Sequence, residues 1–193
     1  MKTIFRQALL TTHVVSSVGW IGALMVFMAH AAMAVASEDR ELVRAACFAM
    51  ASSAWFVILP LAIAAVVTGV IQALNTSWGL FDHYWVMFKL GLAAVATSVL
   101  LLKLSPIEQL AQLAAQGSFA ATAGSRVSML VHAIGGLAIL LAATVLAIYK
   151  PAGRRATRPV PAWVKSFATA SGLLAILLIA MAISGGHGPH MHR

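Results

Sequence analysis

Acidic side chains are scarce in this sequence, which has 5 Asp and Glu among 193 residues against 13 Lys and Arg. Charged residues of both signs make up only 9% of the chain, whereas soluble domains average about 25%. Hydrophobic residues make up 61% and the mean hydropathy is +0.92. This composition disfavours a water-soluble domain and indicates a membrane protein.

The sequence has few residues that could support cysteine-based or carboxylate-based chemistry. The single cysteine, Cys47, excludes an internal disulfide framework and any Cys-x-x-Cys motif. The sequence contains no P-loop, no G-x-G-x-x-G and no H-E-x-x-H motif. Acidic residues are absent from the apolar stretches, apart from Asp82 at the edge of the third, so a proton relay through carboxylates is not favoured.

Five apolar stretches are each long enough to cross a bilayer, which takes about 20 helical residues. They cover residues 8–36, 45–74, 84–104, 127–149 and 164–184. Helices are expected because backbone groups inside lipid must be satisfied within each segment. The sequence therefore predicts an all-α integral membrane protein, an up-down four-helix transmembrane bundle plus a fifth transmembrane helix. Pro60 predicts a kink or tilt in the second helix.

Basic residues predict the orientation of these helices. Their densest cluster follows the fourth stretch, at Lys150, Arg154, Arg155, Arg158 and Lys165. Cytoplasmic loops carry an excess of Lys and Arg, which predicts a cytoplasmic N-terminus and a periplasmic or extracellular C-terminus. The domain prediction is a four-helix core at 1–151, a basic cytoplasmic linker at 152–162, a fifth helix at 163–186 and a His-rich tail at 187–193.

The segment 105–125 then lies on the outer side. Leu104, Ile107, Leu110 and Leu113 recur there at helical spacing. This pattern predicts a helix that lies on the membrane surface.

Ionisable side chains inside membrane spans are costly and are therefore candidates for function. His13 in the first span and Lys89 in the third are predicted to lie near the cytoplasmic side. Thr68, Gln72 and Asn75 follow one face of the second span towards the same side. We expect a polar cluster shared by three helices, although Lys89 alone could reach water by snorkelling.

A second pair of polar side chains is predicted near the outer side, where His30 and His132 occupy similar depths on the first and fourth spans. A methionine lies one turn from each histidine, and two glycines follow the second: Met33, Met129, Gly135 and Gly136. The glycines leave a flat slot that a ring system or another helix could approach closely.

These outer side chains suit two cofactors. Imidazoles on facing helices can hold haem b, whereas imidazole with thioether sulfur also suits Cu(I). A tail containing His187, His190 and His192 fits copper capture. A third alternative is a non-catalytic accessory or assembly subunit, whose polar residues only specify helix contacts.

Four short motifs occur in order within residues 8–151. They are His13-x6-Trp20-x-Gly22, Thr68-Gly69, Trp85-x3-Lys89-Leu90, and Arg126 followed by Tyr149-Lys150-Pro151. Together they resemble the bacterial membrane protoporphyrinogen oxidases of the HemJ type and the related copper-resistance D family. The resemblance implies a four-helix core that binds haem b, with His13 and Lys89 as functional positions. It also implies oxidation of a tetrapyrrole precursor or, in the copper-resistance family, movement of copper across the inner membrane.

The sequence thus predicts a bacterial inner-membrane haem b protein with a redox role towards a tetrapyrrole-like or quinone-like substrate. The predicted catalytic residues are His13 and Lys89. The predicted cofactor-binding residues are His13, Trp20, His30, Lys89, His132, Gly135 and Gly136. The alternative metal ligands are His30, Met33, Met129, His132, His187, His190 and His192. Expected partners are the bilayer, a redox protein or small hydrophobic substrate, and a second copy of the chain, but not nucleic acid.

Overall fold

Four long helices account for nearly all of residues 3–75 and 83–150, which are the residues that the structure, a computed structural model, describes. They are α1 (Thr3–Ala36), α2 (Arg40–Asn75), α3 (Tyr84–Ala115) and α4 (Phe119–Tyr149). All four are long and apolar enough to cross a membrane, and the described residues form no strand. The all-helical class is confirmed, and the described helices fit the predicted membrane spans in length and composition. The predicted linker, fifth helix and His-rich tail lie outside the described residues.

Each helix contacts its neighbours around a ring. α1 packs against α2 and α4, and α3 packs against the same two helices. With 31 to 36 residues, each helix is about 45–55 Å long, whereas the hydrocarbon layer is about 30 Å thick. The helices are therefore longer than the hydrocarbon layer is thick.

The turn between α1 and α2 is fixed by its own side chains. Asp39 caps α2, because its Oδ1 accepts a hydrogen bond of 2.9 Å from the Glu41 amide. The Ser37 hydroxyl accepts a hydrogen bond of 3.1 Å from the Asp39 amide. Because this cap satisfies the first turn, α2 begins five residues before the predicted span at residue 45, within a charged segment that hydropathy leaves out.

Proline at position 60 coincides with an irregular turn of α2. Residues Ala54–Ile58 form a π-helical turn between Arg40–Ser53 and Leu59–Asn75, and the Leu59 amide donates to the Ala54 carbonyl. Pro60 directly follows Leu59 in the sequence. A proline ring crowds the carbonyl four residues earlier, and a wider turn relieves that contact. The irregularity predicted at Pro60 thus begins six residues before it.

The segment 105–125 is not a separate surface helix, and that expectation was wrong. α3 continues through Pro106 to Ala115, and α4 begins at Phe119. The apolar stripe is buried within the bundle at Leu104, Ile107, Leu110, Ala111 and Ala114, and α3 contacts the first half of α2. Burial of this stripe outweighs the one backbone hydrogen bond that Pro106 cannot donate.

The best-packed core lies at this end of the bundle. Val43, Ala46, Cys47 and Met50 of α2 are fully or almost fully buried. Arg126 of α4 also binds this end, where its Nη1 donates to the Ala34 carbonyl at 2.6 Å. A cation at the last turn of α1 satisfies a free carbonyl and complements the helix dipole.

The α3–α4 turn has a specific sequence signal in Gly117. The φ angle of Gly117 is +76°. The Ser118 amide donates a hydrogen bond of 3.0 Å to the Leu113 carbonyl, and the Gly117 amide donates one of 3.2 Å to the Ala114 carbonyl. These two bonds form a Schellman motif, which requires the left-handed conformation at its glycine. The segment Ala115-Gln116-Gly117-Ser118 therefore ends one helix and allows the next to begin.

We expect Gly117→Ala to lower the free energy of unfolding by about 1 kcal/mol, because alanine is strained at positive φ. The measurement is denaturant unfolding in mixed micelles. Gly124→Ala is the matched control, since a Cβ there meets nothing within 4 Å and the residue lies inside α4. An equal effect of the two substitutions would contradict the role of the turn.

Candidate functional site

The predicted polar cluster of three helices is present, with the His13 ring at its centre. His13 Nδ1 lies 2.9 Å from the Ala65 carbonyl oxygen and 3.1 Å from Thr68 Oγ1, both on α2. Its other nitrogen, Nε2, lies 3.2 Å from Lys89 Nζ on α3. We call His13, Thr68 and Lys89 the inner site.

The hydrogen-bond partners determine the tautomer of His13. A carbonyl oxygen can only accept, so Nδ1 carries the hydrogen that is donated to Ala65. The lone pair of a neutral ring is then on Nε2, where it accepts a hydrogen bond from the Lys89 ammonium. His13 thus uses the lone pair that a metal would need.

Gly69 allows the ring to approach α2 this closely. A Cβ at position 69 would lie 2.9 Å from His13 Cε1, which is closer than real Cβ contacts. The Thr68-Gly69 pair thus provides one hydrogen-bond acceptor and one open space for the same imidazole. One turn further along α2, Gln72 Nε2 donates to the Leu9 carbonyl at 3.0 Å. Asn75 instead bonds the Ile71 carbonyl of its own helix, so it does not join the cluster.

A second candidate site is an apolar cavity of about 60 Å³ between α1, α3 and α4, which Ile58 of α2 also lines; we call it the outer cavity. Its lining is mainly aliphatic, with Trp20 and Phe27 as the aromatic members and Lys103 and His132 as the ionisable ones. The cavity is partly open. Trp20 follows His13 by seven residues on α1, so the cavity begins about 10 Å along the helix from the inner site.

His132 has one nitrogen engaged and one available. Nδ1 lies 2.7 Å from the Ser128 carbonyl oxygen, one turn earlier on α4, and therefore carries the donated hydrogen. The Ser128 hydroxyl is more distant, at 3.4 Å. Within the described ranges, Nε2 has no hydrogen-bond partner, so its lone pair is available beside the cavity.

The structure brings part of the predicted outer set together. Met129, His132 and Gly136 of α4 line the cavity with Trp20, whereas His30, Met33 and Gly135 do not. Gly136 matters for packing, because a Cβ there would lie 3.3 Å from Leu24 Cδ2. His30 Nδ1 is buried with no partner among the residues described here.

Lys103 was not among the predicted site residues, and it lies at the end of the predicted third span. It lines the cavity together with Ala96, Leu100 and Ile107. Ala96 and Leu100 lie seven and three residues before Lys103, and Ile107 lies four residues after it. These spacings place all four residues on one face of the helix. That spacing was the signal in the sequence. In the described ranges, no hydrogen bond or ion pair involves its ammonium.

No group of three or more His, Cys, Asp or Glu side chains that could hold a metal ion occurs among residues 3–75 and 83–150. The tail residues His187, His190 and His192 lie outside the described residues. Comparisons with protein-family models, with curated proteins and with solved structures gave no match.

Proposed function

We propose that this chain is a polytopic membrane protein that binds haem b at the outer cavity and has a redox role. The observation that carries the proposal is the state of His132. Its Nδ1–H is held by a backbone carbonyl, while Nε2, beside an apolar cavity, has no partner among residues 3–75 and 83–150. A haem-ligating histidine needs this arrangement, in which one nitrogen is fixed by a hydrogen bond and the other is available to iron.

The rest of the lining suits such a ligand. Trp20 and Phe27 offer aromatic surface to a planar macrocycle, and Lys103 places a cation at an otherwise apolar site, where it could pair with a carboxylate. The cavity is partly open, so a ligand larger than about 60 Å³ would extend beyond it. When bound, haem iron would supply one-electron transfer. His132 would hold the iron beside the mainly aliphatic lining.

The inner site is proposed as the second functional centre. His13 and Lys89 are the positions implied by the resemblance to the protoporphyrinogen oxidases, and they are in direct contact at 3.2 Å. Under this proposal the protein is a haem-dependent oxidoreductase acting on a tetrapyrrole-like or quinone-like substrate, in a bacterial inner membrane, with the N-terminus cytoplasmic and the C-terminus periplasmic. A redox protein or a second copy of the chain would be its partner.

An optical spectrum tests the cofactor. The protein, purified in a mild detergent from haem-replete cells, is expected to show a Soret band and to contain about one haem per chain. Parallel elemental analysis separates haem iron from copper. Folded protein without a Soret band, after supply of haem during expression, would reject the proposal.

Copper handling and an accessory role remain predictions from the sequence. The described residues bring Met129 and His132 to one cavity, but His30 and Met33 do not line it. No specific observation therefore favours either alternative over haem.

A further inference from the structure

The ammonium of Lys89 has an unusual environment for a charge within an apolar helix. It is half-buried, and its one hydrogen-bond partner among the described residues is the neutral His13 ring. An imidazole lone pair can accept one of the three N–H donors but brings no negative charge. Charged groups within membrane spans are expected to pair with an opposite charge or to mark a ligand site.

Carboxylates of the described residues are far from Lys89. Glu38, Asp39 and Glu41 lie at the α1–α2 turn, at the other end of the bundle. Glu108 follows Lys89 by 19 residues on α3, about 28 Å along the helix. The described part of the chain therefore provides no negative charge for this ammonium.

His13 holds the ammonium in a fixed position. Its ring is bonded to α2 at Ala65 and Thr68 and is pressed against Gly69. The Nε2 atom is therefore directed at Lys89 by contacts from a third helix. A lysine that only snorkelled to water would need no such partner.

Among the described residues, the inner site lies close to the end of the bundle at which α1 and α3 begin. Lys89 is the sixth residue of α3, about 8 Å from the start of the helix. Its half-buried side chain has two N–H donors beyond the one given to His13. We propose that the inner site binds an oxyanion, a carboxylate or phosphate group, with Lys89 as the binding cation and His13 as its positioning residue. The inference does not depend on haem.

Thermal unfolding in a nonionic detergent tests this proposal without haem. Acetate and inorganic phosphate are the water-soluble probes. Laurate and dodecyl phosphate are the amphiphilic probes, with dodecanol as the uncharged control. A ligand that binds the folded state raises the unfolding temperature as its concentration rises. We expect oxyanions, but not dodecanol, to do so. A rise with the soluble probes identifies a free solute, and a rise with the amphiphiles alone identifies a lipid-like headgroup.

Variants assign the effect to Lys89. Lys89→Met is expected to weaken oxyanion binding by about tenfold or more. Lys89→Arg keeps the positive charge and should therefore retain oxyanion binding. Arg6→Gln is the matched control, because it removes an exposed cation of α1 at the same end of the bundle and should leave binding unchanged. Absence of a response to all four oxyanions in wild-type protein, or an equal response in Lys89→Met, overturns the proposal.

A measurement on wild-type protein covers the case in which Lys89→Met does not fold. Amidination of lysines, read out by peptide mass spectrometry, is compared with and without the active probe. Protection of Lys89, but not of Lys103, supports the inner site. Equal labelling of Lys89 in both conditions overturns it.

Discussion

Replacement of His132 by alanine is expected to abolish stable haem binding, with the haem content falling about tenfold or more. Loss of an outer-shell partner alone typically costs 10–100-fold in metal affinity, and loss of the ligand itself should cost at least as much. The stability of the bundle should change by about 0.5 kcal/mol or less, because the His132 side chain is exposed. The Soret absorbance per chain and the melting temperature of the haem-free protein measure the two effects.

Two control variants make this prediction specific. Ser128→Ala leaves the backbone carbonyl that holds His132 Nδ1 and removes only a hydroxyl at 3.4 Å, so haem should be retained. His30→Ala should also retain haem, because His30 does not line the outer cavity. Loss of the band in His30→Ala but not in His132→Ala would favour the other outer histidine and contradict the assignment.

The helical architecture could be predicted because lipid imposes its own rules on a sequence. Long apolar runs must be helical to satisfy their backbone groups, and four such helices occur among the described residues. The positions at which the helices begin and end were less predictable. The segment before residue 45 lies outside the predicted second span, yet Asp39 caps α2 within it. α3 passes Pro106, and Ile107, Leu110 and Ala114 beyond the proline are buried.

The inner site was predictable for a similar physical reason. An ionisable residue within an apolar helix is costly wherever it lies, so His13 and Lys89 were conspicuous without any structure. Their polar neighbour Thr68 was also expected. Asn75 was placed in the same cluster by periodicity alone, but its amide bonds its own helix. Periodicity gives the face of a helix and not the partner of a side chain.

The outer site was predicted only in part, because pairing by depth does not determine which face of a helix is turned inward. His30 and His132 were expected at one height, yet only His132 lines the cavity. Lys103 was missed because a basic residue near the end of an apolar run is normally an interfacial anchor. Here the continuation of α3 brings it to the cavity instead.

Replacement of Gly69 by valine is expected to destabilise the protein by about 3 kcal/mol relative to Gly91→Val. A Cβ at position 69 would lie 2.9 Å from His13 Cε1, whereas one at position 91 would meet nothing within 4 Å. Both glycines are inside helices, so the change in helix propensity is similar and cancels in the comparison. The clash costs about 1–3 kcal/mol, and displacement of the ring weakens its hydrogen bonds to Ala65 and Lys89, each contributing about 1 kcal/mol.

A double-mutant cycle shows whether the His13 ring is the cause. In the background His13→Ala the ring is absent, so Gly69→Val should cost no more than Gly91→Val, with a coupling of about 2–3 kcal/mol between positions 13 and 69. The free energy of unfolding in mixed micelles is measured for the four proteins of the cycle. Additive effects would mean that the imidazole does not lie against Gly69. In that case Lys89 would lose its positioning residue, and the arrangement proposed for the inner site could not hold.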